Sequence, residues 1–116
     1  MLKVKEIKTK RFADKYGTRK FTFYKCGRYE IRADLREGDE KAWTIYTVTG
    51  GTDSTDFVPR IYHNNDLNGE SLGFFEIQTT SYGAIPVEQY EVFLKNCKHA
   101  YEVAKALNEY FCKEEN

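Results

Sequence analysis

Apolar and polar positions alternate most cleanly in Tyr29-Glu30-Ile31-Arg32-Ala33-Asp34-Leu35-Arg36. Tyr29, Ile31, Ala33 and Leu35 fall on one side and charged residues on the other. A period of two predicts a strand with one buried face. Residues 19–26 repeat the pattern, with Phe21 and Phe23 alternating with Lys20, Thr22 and Tyr24. Between the two runs, Cys26-Gly27 leaves room only for a tight hairpin in which Gly27 supplies positive φ. A first strand over residues 2–9 is strongly basic, which suits a sheet edge protected from self-pairing by lysines. Residues 43–49 are rich in β-formers and stop at Gly50-Gly51. A polar loop over residues 52–56 follows. Then comes a short apolar piece around Phe57, Val58, Ile61 and Tyr62, which Pro59 restricts to an edge or an irregular path. Residues 63–73 are turn-forming throughout, and residues 74–80 make the last strand.

From Pro86 the period changes. Apolar residues recur at Tyr90, Phe93, Leu94, Cys97, Ala100, Tyr101, Ala104, Leu107 and Phe111, the spacing of a helix with one buried stripe. Pro86 is tolerated in a first turn, and Glu88 complements the positive helix end. The opposite face carries Glu88, Glu91, Lys95, Lys98, Glu102, Lys105 and Glu109, with Glu91 and Lys95 in the favourable order for an ion pair. A helix over residues 87–112 would be roughly 38 Å long, so it should cross a sheet diagonally. Strands first and one long helix last give an α+β class with short, antiparallel connections. The expected fold is one domain over residues 1–116. It is a curved, mostly antiparallel sheet of four to six strands (about residues 2–80) with the long C-terminal helix packed on one face.

Composition supports a β-rich core. Eight Phe, nine Tyr and one Trp among 116 residues supply bulky cross-strand pairs. A mean hydropathy of −0.69 and 31% charged residues describe a well-solvated chain. No apolar run approaches the ~20 residues of a spanning helix. The N-terminus lacks the apolar stretch of a signal peptide. Cys26, Cys97 and Cys112 form no short Cys-x-x-Cys pair, which argues for a reducing, cytoplasmic setting over a disulfide framework or zinc site.

Charge sums to zero but is polarised. Residues 1–36 hold twelve Lys/Arg and four acids, a net +8, and the remainder holds six bases and fourteen acids, a net −8. Such a molecule can attract a polyanion at one end or a complementary partner at either.

Two stretches, Tyr24-Lys25-Cys26-Gly27-Arg28-Tyr29-Glu30-Ile31-Arg32 and Phe75-Glu76-Ile77-Gln78-Thr79-Thr80-Ser81-Tyr82-Gly83-Ala84-Ile85, resemble small, mostly uncharacterised proteins carried by phages and integrative elements of Gram-positive bacteria. The resemblance implies a mobile-element setting. Several proteins of that size and origin inhibit host defence, anti-CRISPR proteins among them. It carries no functional residue onto this chain.

The candidate contacts for phosphate or a partner are Lys8, Lys10, Arg11, Lys15, Arg19, Lys20, Lys25 and Arg28. Phosphate contacts add affinity by counterion release, and the interleaved Phe12, Tyr16, Phe21, Phe23 and Tyr24 could stack unpaired bases. Solvated lysines on an edge hairpin account for the same residues. The acidic candidates are Glu37, Asp39, Glu40, Asp53 and Asp56, which could imitate nucleic-acid phosphates or simply solvate loops. Asp53-Ser54-Thr55-Asp56 lacks the alternating ligands, Gly and terminal Glu of a calcium loop. Gly50-Gly51 lacks the Lys and helix of a phosphate cradle. Cys26, flanked by Lys25 and Arg28, could carry a lowered pKa, but neither His63 nor His99 is placed as its base.

The expectation is therefore a small non-enzymatic binding protein without cofactor or metal. It would occupy the surface of a larger host or element-encoded machine such as a CRISPR effector nuclease. The alternatives are a single-stranded nucleic-acid-binding module using the basic N-terminal hairpin, and a structural homo-oligomer.

Overall fold

The computed structural model describes residues 2–15, 17–37, 42–50, 57–64, 73–78 and 83–112. Six strands precede one helix: β1 Lys5–Asp14, β2 Gly17–Cys26, β3 Tyr29–Glu37, β4 Ala42–Thr49, β5 Arg60–His63, β6 Phe75–Gln78 and α1 Val87–Phe111. The α+β class and the antiparallel pairing are as expected. The strands divide, however, into a four-stranded sheet in the order β1-β2-β3-β4 and a two-stranded sheet of β5 and β6. The larger sheet is not strongly curved. Its one irregularity lies between Glu6 and Lys8, where Ile7 is left out of the β1–β2 register. β1 also begins and ends later than the basic run suggested, because its partner β2 extends back to Gly17 and pairs Asp14 with it.

Register makes the alternation three-dimensional. Tyr24 pairs with Ile31 and Ile31 with Val48; Thr22 pairs with Ala33 and Ala33 with Tyr46. These residues share the inner face, where Cys26, Tyr29 and Ile31 are buried. Thr9 and Thr22, also paired, bring their hydroxyls to 3.2 Å. The β2–β3 turn works because Gly27 takes φ +57°. A Cβ there would also meet the His99 ring at 2.5 Å.

The small sheet supplies Ile61 and Phe75 to the core, Val58 joins them from just before β5, and α1 supplies Ala100, Val103, Ala104, Ala106 and Leu107. Pro59 precedes β5, so its missing N–H costs no ladder bond. Its carbonyl accepts the Tyr29 hydroxyl at 2.6 Å inside the core. Asn108 fastens α1 to β6: its Oδ1 accepts from the Phe75 N–H at 2.7 Å and its Nδ2 donates to the Phe75 carbonyl at 3.3 Å. Tyr24, Tyr46, Phe75 and Phe111 close this end in edge-on and tilted contacts with centroids 4.9–5.9 Å apart.

The helix departs from expectation in how it is used. Every fully buried side chain of α1 lies between Ala100 and Leu107, and none lies in residues 87–99. Tyr90, Leu94 and Tyr101, expected in the core stripe, are 49%, 54% and 57% exposed. Val103 and Ala106 take core positions instead. The helix docks from His99 onward, and most residues of the turns before it are exposed.

Candidate nucleic-acid interface

The same register that buries the inner face collects a different set on the outer one. Phe12 pairs with Arg19, Lys10 with Phe21, Lys8 with Phe23 and Lys5 with Lys25 across β1 and β2. Arg19, Phe21, Phe23 and Lys25 then oppose Arg36, Asp34, Arg32 and Glu30 of β3. Side chains two apart on a strand and opposite across a ladder share a face. Lys5, Lys8, Lys10, Arg19, Lys25 and Arg32 thus stand among Phe12, Phe21 and Phe23, with Asp34 and Glu30 as carboxylates on the same face. Both α1 and the small sheet bury their side chains against the inner face. Among the described residues nothing packs on the outer one. Phe12 is 51% exposed, and Lys5, Lys8, Lys10, Lys25 and Arg32 are exposed.

The arrangement is braced. Asp34, only 4% exposed, sits at the middle of β3 and receives the Arg19 guanidinium, Nη2 to Oδ2 at 2.9 Å. Held there, Arg19 lies over the Phe21 ring at 4.9 Å, and Arg32 approaches the same ring at 5.7 Å. Phe12 meets Phe21 edge-on at 5.6 Å, and the Lys8 ammonium sits over Phe23 at 5.3 Å. Cations within about 6 Å of a ring face are attracted by its quadrupole. This holds long, flexible side chains near the sheet, over the half-buried rings of Phe21 and Phe23, while Phe12 stays exposed. A flat surface of rings interleaved with cations can stack bases while neutralising the phosphates that join them.

The sequence candidates separate by face. Lys8, Lys10, Arg19 and Lys25 come together outside, whereas Arg11 and Lys20, paired with each other, alternate to the inner side. Lys15 lies in the β1–β2 turn and Arg28 in the β2–β3 turn. The Arg28 N–H is taken up by His99 Nε2 at 3.2 Å. Tyr24 belongs to the inner aromatic cluster and not to a stacking surface; Tyr16 lies outside the described residues. Arg32 and Lys5 were not singled out by charge density. The outward parity of Arg32 in β3 was visible in the alternation, but its place beside Phe21 and Phe23 required the β2–β3 register. Glu37 ends β3. Asp39, Glu40, Asp53 and Asp56, and the loop residues 65–72, lie outside the described residues.

Cys26 turns inward. It is fully buried, and desolvation pushes its pKa up, opposite to the lowering that flanking cations suggested. Lys25, its neighbour in β2, alternates to the outer face. Burial likewise raises Cys97 and Cys112. His99 stacks beside Tyr29, and His63 packs against Tyr46 and Phe75. No group of three metal-ligating side chains occurs among the described residues. Among the described residues, no helix is long and apolar enough to cross a membrane. No family model, curated protein or solved structure matches this chain.

Proposed function

We propose that this protein is a binding module that captures single-stranded nucleic acid on the outer face of its four-stranded sheet. The observation that carries the reading is the placement of Phe12, Phe21 and Phe23 among Lys8, Lys10, Arg19 and Arg32 on one open face. The rings offer sequence-tolerant stacking and the cations offer counterion release. Asp34, tied up by Arg19, contributes little repulsion toward an incoming phosphate.

The test is a salt titration with labelled single strands. Contacts to about five phosphates would cost roughly 100-fold in affinity between about 50 and 200 mM salt. Phe12→Ala, a change at a half-exposed ring, should weaken binding about 10-fold at constant salt. Lys8→Gln should reduce the salt slope by about one. Lys105→Gln, on the exposed side of α1, should change neither. Absence of binding at low salt would overturn the reading. It would favour the protein-directed inhibitor that the mobile-element resemblance implies, gripped through the same aromatic and arginine anchors.

A further inference from the structure

We propose that the free half of α1 pairs with the same half of a second copy of this chain, in an antiparallel two-fold dimer. Val87, Tyr90, Leu94, Cys97, Tyr101 and Ala104 follow the three-four spacing of a coiled-coil seam. Four of these are exposed where a monomer would hide them: Val87 by 85%, Tyr90 by 49%, Leu94 by 54% and Tyr101 by 57%. Those four lie beside the stripe that docks on the chain's own core and stay open after α1 has packed, whereas Cys97 is half-buried and Ala104 ends the seam inside that core.

The occupant follows from charge and symmetry. Antiparallel pairing of the seam with itself sets Leu94 against the partner's Cys97 and Tyr90 against the partner's Tyr101, with Val87 outside these layers because Ala104 is buried in its own chain. Each layer then repeats through the two-fold axis. The flanking positions on the solvent side are Glu91 and Lys98, both exposed, and this register brings Glu91 beside the partner's Lys98, again twice. The flanking positions on the other side are Phe93, which is half-buried, and Ala100, which is buried in the chain's own core. A parallel pair in register would place Glu91 and Lys98 on opposite borders of the seam, with no charge to meet. Self-complementarity therefore selects the antiparallel arrangement.

Sedimentation or light scattering of the full chain decides it. The wild type should dimerise. Leu94→Asp, at a half-exposed position that the fold does not need, should weaken association at least about 30-fold with an unchanged circular dichroism spectrum. Glu91→Lys should weaken it about 10-fold, and the exchanged pair Glu91→Lys with Lys98→Glu should restore it. A wild type that stays monomeric at the highest soluble concentration would overturn the proposal and leave the seam to a different partner. So would a dimer indifferent to Leu94→Asp, or a charge exchange that fails to rescue.

Discussion

At the scale of single residues, the core rests on a few polar groups whose partners come from distant parts of the chain. The hydroxyl of Tyr29, a fully buried residue, donates to the Pro59 carbonyl at 2.6 Å, joining the large sheet to the entrance of β5. Tyr29→Phe keeps the ring and leaves that carbonyl without this donor, so it should cost about 1–2 kcal/mol in chemical denaturation. Tyr62→Phe, which loses only an exposed contact from Arg60 at 3.3 Å, should stay within about 0.5 kcal/mol of wild type. Equal losses would refute the distinction. Alternation alone put Tyr29 on the buried face. The acceptor for its hydroxyl was not legible, because nothing in a local pattern brings residue 59 back to residue 29.

At the scale of elements, the β2–β3 hairpin and α1 are fitted to each other at one point. Gly27 turns with positive φ, and the space a Cβ would need is filled by the His99 ring, whose Nε2 accepts the neighbouring Arg28 N–H. Gly27→Ala should therefore destabilise by the left-handed backbone penalty of about 1–2 kcal/mol plus a steric part. In a His99→Ala background most of the steric part should be relieved, leaving only the Val103 Cγ2 contact at 3.2 Å, so the double-mutant cycle reports a favourable coupling; strictly additive losses would show that the His99 contact is not the cause. The glycine turn was readable from sequence, as was a helix starting near Pro86. Which turns of that helix dock was not. Tyr90 and Leu94 match the period as well as Val103 and Ala106 do, and only the position of β6, clasped by Asn108, decides which half meets a sheet.

The whole molecule is extended. The radius of gyration of 16.1 Å exceeds the roughly 13 Å of a compact domain of this length. The packed end has its own pH signature. Burial raises the thiol pKa of Cys26 and the phenol pKa values of Tyr24 and Tyr46. For Tyr24, the nearby Tyr110 and Glu6 push the same way. A raised folded-state value means that the native protein holds its proton more tightly than the unfolded chain. That stabilisation is complete below the unfolded values, about 8.5 for Cys and 10 for Tyr, and is lost as pH rises through the folded ones. The urea midpoint should fall steadily above about pH 9, and Tyr46→Phe should lessen the fall. A midpoint unchanged up to about pH 11 would contradict the burial of these groups.

The polarity of charge, the strand alternation and the helical period are one-dimensional properties, and they were sufficient for the α+β class, the hairpin at Gly27 and a basic N-terminal third. A count of charges along the chain could not say which of them act together, because a strand sends alternate side chains to opposite faces. Register divided the basic third, sending Arg11 and Lys20 inward and gathering Lys8, Lys10, Arg19 and Arg32 around Phe21 and Phe23. Docking likewise divided one helical stripe into a buried half and an open one, since a long helix meets a small sheet over only part of its length. Both candidate surfaces, the outer sheet face and the seam of α1, are products of that pairing and docking.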